Sequence, residues 1–452
     1  MRSFSELGLD PSLVKAVEEQ GYKVSTPIQD KSIPPILLGR DVIAAAQTGT
    51  GKTASFTLPI LQRLMPYANN SVSPAKHPVR CLILTPTREL AVQVHENVDS
   101  YGKYLQIRSM VLFGGVSMDF QINQLGSGVE IVVATPGRLL DIEKNKAINF
   151  RMLEFLVLDE ADRMLDMGFL PDITKIINML PSRRQTLLFS ATYSQEIAQS
   201  TKKWLIDPIR VDASPPNTLT KTIDHRFFSV ETSAKATCLV RFLESAEEGQ
   251  MLIFCNTKIG ADRLNRKLKR DKFEAAVIHG DRTQVERLKT LEDFKKGKIS
   301  ILVATDIAAR GLDIENMPRV INFDVPLSSD DYVHRVGRTG RAGSQGEAIT
   351  FVSEGDEQNL SAIEKIPNLE VETSPFDLLF SPRHVHSERD RKILPVSAAS
   401  RTNSSVSLFS EPYKPSSQSR GKVSNKKIRQ PTKLGKREVP ALLLPPSRKL
   451  ED

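Results

Sequence analysis

Short apolar runs alternate with amphipathic, helix-like segments along most of this chain. Continuous apolar runs of roughly 4–8 residues are typical of strands buried on both faces, and their alternation with helical patterns predicts βαβ units. In the first half the runs are residues 42–45, 81–84, 110–113, 131–134, 155–158 and 186–189. The pattern therefore predicts an α/β domain with a mostly parallel sheet flanked by helices.

A second α/β domain is predicted beyond a turn-rich segment at residues 212–218. There the alternation resumes, with apolar runs at residues 226–230, 252–254, 275–278, 301–304, 320–323 and 348–352. From about residue 371 the periodicity fades. The predicted units are a first domain (1–212), a linker (213–222), a second domain (223–370) and a tail (371–452).

The basic character of the chain is concentrated in its tail. Residues 381–452 hold 16 of the 62 Lys/Arg and 6 of the 54 Asp/Glu, a net charge of +10, which leaves residues 1–380 with −2. The tail is rich in Ser, Pro and Lys and has few bulky residues, a composition typical of disorder. We expect a disordered basic tail suited to polyanions, although its apolar island at residues 440–446 leaves a docking role open.

Cysteine spacing and hydropathy predict a cytoplasmic protein. The three cysteines, Cys81, Cys238 and Cys255, have neither paired nor metal-ligand spacing, which favours buried thiols in a reducing compartment. No apolar stretch approaches membrane-spanning length, and the first residues lack a signal-peptide core. We therefore expect no membrane association.

A loop typical of phosphate binding follows the first apolar run. Glycines at its turn let the backbone aim amides at phosphate oxygens, Lys52 can reach the β and γ phosphates, and the Thr53 hydroxyl can ligate Mg²⁺. The loop comprises Ala46, Gln47, Thr48, Gly49, Thr50, Gly51, Lys52 and Thr53. Because an apolar strand precedes it and an amphipathic segment follows, the loop predicts binding and hydrolysis of a nucleoside triphosphate.

Two adjacent carboxylates follow the apolar run at residues 155–158. Residues 159–162 read Asp-Glu-Ala-Asp, so Asp159 can hold Mg²⁺ through its water shell while Glu160 accepts a proton from an attacking water. Alone, such a tetrapeptide is most often a solvated acidic turn. Together with the upstream phosphate loop it predicts a hydrolytic site.

The second predicted domain supplies two arginines three positions apart, Arg338 and Arg341, in the segment 334–343. Guanidinium groups pair with phosphate oxygens in a fork, so these two can neutralise a γ-phosphate during transfer. A plain nucleic-acid contact is the alternative. In the same domain Asp313 can reach a ribose hydroxyl and Thr305 a backbone phosphate.

Taken in order, these motifs resemble those of the DEAD-box RNA helicases, and most closely the bacterial RhlE-type branch, over residues 4–355. The resemblance implies two tandem RecA-like domains, ATP and Mg²⁺ as cofactors, and RNA as partner. Residues 21–29 resemble the adenine-reading Q motif, in which Gln29 binds the adenine edge and an aromatic lies near its face. The further nucleotide contacts that the resemblance implies are Phe4, Tyr22, Thr26, Gly311 and Asp313.

The resemblance also implies contacts to the RNA backbone and residues that couple them to hydrolysis. The RNA contacts are Pro86, Thr87, Arg88, Gly115, Thr135, Pro136, Gly137, Arg138, Thr257, Gln284, Arg287 and Thr305. The coupling residues are Asp162, Ser190, Thr192, Asp306, His334 and Arg335. These residue types read sugar and phosphate rather than base edges, so we expect binding without sequence specificity.

The sequence thus predicts an ATP-dependent RNA helicase that separates short duplexes or remodels ribosomal or RNA-decay ribonucleoproteins. An ATP-gated RNA clamp with little unwinding is the first alternative. A DNA translocase is the second, and the Q motif argues against it.

Overall fold

The computed structural model describes residues 1–46, 49–191, 195–212, 222–246, 249–309, 314, 317–340 and 345–376. Of the predicted site, Gln47, Thr48, Thr192, Gly311, Asp313 and Arg341 lie outside the described residues. So do the linker up to residue 221 and the tail from residue 377.

The first sheet has seven parallel strands in the order β3-β4-β2-β5-β6-β1-β7. Its strands are β1 (Val42–Ala45), β2 (Cys81–Leu84), β3 (Ser109–Leu112), β4 (Ile131–Ala134), β5 (Phe155–Leu158), β6 (Gln185–Ser190) and β7 (Ile209–Asp212). The helices are α1 (Pro11–Glu19), α2 (Pro27–Leu37), α3 (Lys52–Leu64), α4 (Arg88–Tyr101), α5 (Met118–Leu125), α6 (Pro136–Lys144), α7 (Ala161–Asp166), α8 (Leu170–Met179) and α9 (Gln195–Thr201).

The second sheet also has seven parallel strands, in the order β10-β11-β9-β12-β13-β8-β14. Its strands are β8 (Ile223–Ser229), β9 (Met251–Cys255), β10 (Ala275–Ile278), β11 (Ile301–Thr305), β12 (Arg319–Asn322), β13 (Gly346–Val352) and β14 (Thr373–Pro375). The helices are α10 (Lys235–Ser245), α11 (Lys258–Arg270), α12 (Gln284–Lys295), α13 (Asp306–Ala309), α14 (Ser329–Val336) and α15 (Glu357–Ile363).

The two sheets share one topology: adding seven to each strand number of the first sheet gives the strand order of the second, so that β8 takes the place of β1 and β14 that of β7. The structure therefore confirms the predicted pair of parallel α/β domains. In such open sheets ligands bind beyond the carboxyl ends of the strands, where neighbouring loops meet.

Helices cover both faces of each sheet, which explains the continuous apolar runs. Along β5, Phe155 and Val157 face one hydrophobic cluster, while Leu156 and Leu158 face another. All four side chains are completely buried. Successive strand residues point to opposite faces, so a strand covered on both sides must be apolar at every position.

Two edge strands extend beyond the sequence prediction. Strand β7 pairs with β1, and β14 pairs with β8. The second sheet thus continues past residue 370, where the predicted domain ended, and Phe376 is buried against it. Strand β14 has three exposed residues held by backbone pairing alone, so it leaves no hydrophobic pattern to detect. Among the described helices, none combines the length and apolar content needed to cross a lipid bilayer.

Candidate functional site

The phosphate loop joins β1 to α3 at the carboxyl edge of the first sheet. The Ala46 N–H donates to the carbonyl oxygen of Ser190 at 3.0 Å, which fixes the start of the loop on the neighbouring strand. Gly49 and Gly51 have φ of 76° and 90°. A Cβ at Gly51 would lie 2.3 Å from Gln29 Nε2, so only glycine fits. The amino end of α3 begins at Lys52 and points its free amides into this space.

Gln29, in α2, connects that helix to the phosphate loop through hydrogen bonds. Its Oε1 accepts the Thr26 N–H at 2.9 Å, and its Nε2 donates to the Gly51 carbonyl oxygen at 3.1 Å. An amide has two donor hydrogens and two acceptor lone pairs. Each end of Gln29 therefore keeps one bonding position, which fits the predicted contact with an adenine edge.

The acid pair follows β5 and is deeply buried. Asp159 is 3% and Glu160 8% exposed. Glu160 has φ 53° and ψ 53°, a left-handed conformation that costs a non-glycine residue roughly 1–3 kcal/mol. Burial raises the pKa of Asp159 to about 7, against the opposing charge of Lys52, and Glu160 adds to the rise.

A cavity of about 550 Å³ brings together the predicted catalytic residues that the structure describes, which leaves out Arg341. Its phosphate end is lined by Gly49, Gly51, Lys52, Thr53, Asp159, Glu160 and Arg338. Arg338 comes from the second domain, after α14, and is 6% exposed. Among the described residues, Lys52 Nζ and Glu160 Oε2 are buried without a hydrogen-bond partner. Burying polar groups without hydrogen-bond partners costs folding free energy. The two groups fit a ligand that places an anionic oxygen beside Lys52 and a hydrogen-bond donor beside Glu160.

The other end of the cavity is lined by Tyr22, Thr26 and Gln29, three of the predicted nucleotide contacts. Phe4 is different: it does not line the cavity and is 2% exposed within a hydrophobic cluster of the first domain. Burial of the Phe4 ring in the cluster that also contains Leu7 and Leu9 removes apolar surface from water. Sequence reasoning missed the α4 wall of the cavity, which is formed by Leu90, Gln93, Glu96, Asn97, Ser100 and Tyr101.

The predicted coupling residues link the acid pair to the end of β6. The Asp162 N–H donates to Ser190 Oγ at 3.3 Å, and Asp162 Oδ2 accepts the Ala191 N–H at 3.0 Å. On the second domain, burial and the nearby charge of Arg163 lower the pKa of His334 to about 3. His334 is therefore neutral at physiological pH.

Arg335 anchors the segment that carries Arg338. It is 1% exposed, and its Nε and Nη2 donate to the two carboxylate oxygens of Asp306, both at 2.6 Å. Nη2 also donates to Asn256 Oδ1 at 2.7 Å, and Nη1 to the Asp324 carbonyl oxygen at 2.8 Å. The bidentate pair with Asp306 fixes α14 on the end of β11, and the bond to Asn256 fixes it on the end of β9. Two predicted coupling residues, Arg335 and Asp306, are thus in direct contact.

The predicted RNA contacts of the first domain lie together at the carboxyl edge of its sheet. They follow β2, β3 and β4, which are adjacent strands. Thr87 begins α4, and its Oγ1 accepts the Leu90 N–H at 3.3 Å. Gly115 has φ +87°, and a Cβ there would lie 2.4 Å from Arg88 Nη1. Arg138 donates to Gln121 Oε1 in α5 at 2.7 Å and to the Val116 carbonyl oxygen at 2.9 Å, so it supports the turn after β3.

The remaining first-domain contacts begin α6 directly after β4. Thr135 precedes the helix, Pro136 is its first residue, and Gly137 is exposed. Pro86 is buried in the turn after β2. In the second domain, Thr257 caps α11, its Oγ1 accepting the Gly260 N–H at 3.0 Å, and Thr305 ends β11.

Two of the residues predicted to contact RNA meet the first domain in this structure. Gln284 Nε2 donates to Glu89 Oε1 at 2.8 Å, and Arg287 Nη2 lies 3.0 Å from Glu89 Oε2. Gln284 and Glu89 are each 4% exposed. Glu89 thus receives both groups and bridges the domains. The sequence gives no local signal for this bridge, because its two sides are 195 residues apart.

Two protein families match the chain. Residues 26–200 match the family described as DEAD/DEAH box helicase, and residues 234–343 match the helicase conserved C-terminal domain. The first match contains the phosphate loop and the acid pair, and the second contains Arg338.

Curated relatives and solved structures agree with these families. The chain is 40% identical over 391 residues to the DEAD-box ATP-dependent RNA helicase RhpA of Helicobacter pylori, covering 86% of this chain and 78% of that protein. It is 43% identical over 367 residues to the ATP-dependent RNA helicase CshA of Listeria monocytogenes, covering 81% and 69%. The structure of S. cerevisiae Dbp5 bound to RNA and ADP BeF3 is similar with a TM-score of 0.72 and 32% identity, covering 83% of this chain and 96% of that one.

Proposed function

Because the chain belongs to the DEAD-box family of ATP-dependent RNA helicases, we propose that it opens short RNA duplexes by closing its two RecA-like domains on ATP and RNA. The observation that carries this proposal is the position of Arg338, which comes from the second domain yet lines the cavity that holds Lys52 and Glu160. ATP hydrolysis is then possible only when the domains meet. RNA that contacts both domains favours that meeting.

The cavity fits a nucleoside triphosphate with a divalent cation. The amides of the α3 amino end and the orphaned Lys52 ammonium favour phosphate oxygens. The pKa of Asp159 is raised because its carboxylate is buried. A bound cation would favour the ionised form of that carboxylate. Thr53 and Asp159 would hold Mg²⁺, largely through water, and the ion would supply charge neutralisation at the β and γ phosphates.

Each residue at the phosphate end then has one task. Lys52 compensates phosphate charge in the ground state and the transition state. Glu160 orients the attacking water and accepts its proton, since its Oε2 is buried and without a partner. Arg338 stabilises the charge that develops on the transferred group. Arg341, which lies outside the described residues, is proposed to assist it.

For RNA we propose a path across the carboxyl edges of both sheets. Thr87, Arg88, Arg138, Thr257 and Thr305 lie at strand ends on those edges. Hydroxyl, guanidinium and backbone amide groups of this kind bind phosphates and 2′-hydroxyls. Binding is therefore independent of base sequence in the core, and Gln284 and Arg287 contribute mainly through the bridge to Glu89.

Strand displacement distinguishes helicase from clamp. With a short RNA duplex and ATP, the protein should release the displaced strand at a rate that rises with enzyme concentration. An ATP-gated clamp would instead retain RNA without displacing a strand. ATPase stimulation by RNA and by DNA of equal length decides the third possibility, because a DNA translocase would respond to DNA at least equally.

We also propose the finer assignments. The resemblance of the motifs over residues 4–355 is the basis for proposing the RhlE-type branch. Cys81, Cys238 and Cys255 are all buried, which supports a reducing cytoplasm. Ribosomal or RNA-decay ribonucleoproteins are the proposed physiological targets. Crosslinking the protein to cellular RNA and sequencing the bound fragments tests this last assignment.

A further inference from the structure

Helix α11 carries a concentrated positive charge. Its 13 residues include six Lys/Arg and one Asp, a net charge of +5. Residues 1–380 together carry −2, so the helix differs in sign from the body of the protein. Solvated helix faces normally mix both signs, and an excess of one sign on one helix is typical of a surface that binds polyanions.

The charge is presented to solvent along one face. Ala261, Leu264 and Leu268 are at most 3% exposed and hold the inner face of α11 on the second sheet. Arg263, Arg266 and Arg270 are exposed on the other side. Their spacing of three and four residues places the three guanidinium groups in one row, which we call the α11 stripe.

Nearby acidic groups leave most of the α11 stripe uncompensated. Asp262 is engaged by Arg282, 2.5 Å away, and by His279, 3.2 Å away. Asp271 lies 3.2 Å from Lys267 and 4.0 Å from Arg270. Within the described part of the chain, Arg263 and Arg266 form no ion pair. The positive potential of the row is therefore available to a ligand.

The α11 stripe is continuous with the proposed RNA path. Thr257, one of the predicted RNA contacts, is the residue that caps α11. The helix follows β9 and runs back from the carboxyl edge of the sheet, so the row starts near that edge. From Arg263 to Arg270 the stripe extends about 10 Å, and Thr257 lies about 9 Å before its start, at 1.5 Å per residue.

We propose that the α11 stripe is a second RNA contact, which binds the backbone of a strand that continues beyond the segment held between the domains. Guanidinium groups suit phosphates and carry no base preference. The inference rests on the proposed function, because it requires RNA at the carboxyl edge of the second sheet. It adds affinity for long RNA without a role in ATP hydrolysis.

The test compares two lengths of single-stranded RNA. The short oligonucleotide is the shortest that gives full ATPase stimulation, and the long one extends it several-fold. The test variant is R263Q/R266Q/R270Q. The matched control is K289Q/K296Q/K298Q, which removes the same charge from exposed positions of the same domain. Binding is measured against salt concentration, and ATPase rate against RNA concentration.

We expect the test variant to bind long RNA more weakly than the control does. Its slope of log affinity against log salt should be smaller by about 2, at about 0.7 per lost phosphate contact on single strands. Its short-RNA affinity and stimulated ATPase should equal those of the unmodified protein, and R263K/R266K/R270K should restore long-RNA binding.

Three results would overturn the proposal. Unchanged long-RNA binding would make the stripe a solvated face or a site for an acidic protein. Equal loss on short and long RNA would place the arginines in the core contact, and equal loss in the control would indicate a general charge effect. A failure of the proposed function is separate, since it would appear as absent RNA stimulation in the unmodified protein.

Discussion

Glu160 combines a strained backbone with a buried carboxylate oxygen that has no hydrogen-bond partner, and both features fit its proposed role in hydrolysis. Its φ of 53° is maintained although glycine would adopt it without cost. We predict that Glu160→Gln lowers the ATPase rate about 10²–10⁴-fold, because it removes the base and preserves the shape. ATP affinity should stay within a few-fold. Steady-state hydrolysis and nucleotide titration measure the two effects.

Glu154→Gln is the matched control for Glu160. Glu154 precedes β5, whereas Glu160 follows it, and Glu154 pairs with Arg80 at 2.6 Å. The Glu154→Gln variant should hydrolyse ATP at the normal rate. Normal hydrolysis by Glu160→Gln would assign the base to another residue.

We predict that His225 makes the stability of the folded protein depend on pH. Its Nδ1 lies 2.8 Å from the Tyr332 hydroxyl, and burial lowers its pKa from 6.5 to about 4. The folded pKa is below the unfolded one, so this contribution is complete above pH 6.5 and is lost as the pH falls toward 4. The shift sets an upper limit of about 3 kcal/mol on the loss in the free energy of unfolding that protonation of His225 causes.

The measurement is urea unfolding at neutral and acidic pH. His225→Gln should lose less stability between these conditions than the unmodified protein, since it has no imidazole to protonate. Identical losses in both proteins would show that another group controls acid stability in this window.

Between helices, we propose that the contact of α4 with α12 controls how readily the domains meet. Glu89 of α4 binds both Gln284 and Arg287 of α12. Removing one partner of a buried charged pair costs roughly 2–5 kcal/mol. We predict that Glu89→Gln raises the RNA concentration for half-maximal ATPase at least tenfold. RNA titrations of ATPase activity measure it.

Asp99→Asn is the control for that effect, because Asp99 is on the same helix with its side chain 58% exposed. It should leave the RNA titration unchanged. An unaltered RNA requirement in Glu89→Gln would mean that the bridge between α4 and α12 contributes nothing to closure.

The sequence predicted elements wherever burial imposes a pattern. Strands β1, β2, β4, β5 and β10 have the predicted bounds, because both of their faces are covered and every residue must be apolar. Strands β7 and β14 escaped prediction because most of their residues are not buried, so neither strand has a continuous apolar run.

The candidate site divides in the same way. Gly51, Lys52 and Asp159 were predictable because phosphate chemistry requires them at fixed local spacing, and the structure brings them together. The burial of Phe4 and the contacts of Glu89 with α12 were not predictable. Both depend on segments distant in sequence, which neither periodicity nor local spacing indicates.

At the scale of the whole molecule, charge separates the basic tail from the body. We propose that residues after about 380 tether RNA near the cavity without reading it. Removing them should raise the RNA concentration for half-maximal ATPase and flatten the salt dependence of binding. The rate at saturating RNA should stay the same. Truncated protein with unaltered RNA affinity at low salt would favour a spacer, or a docking role for residues 440–446.

We propose that the second domain completes the hydrolytic site only when RNA brings the domains together. The first domain has its own sheet and hydrophobic clusters, so a fragment of residues 1–212 should fold alone. It contains Lys52, Asp159 and Glu160 and lacks Arg338. The deciding measurement is the ATPase rate of this fragment with and without saturating RNA, beside the full chain. We predict weak ATP binding and no stimulation by RNA, whereas stimulation equal to that of the full chain would contradict the closure mechanism.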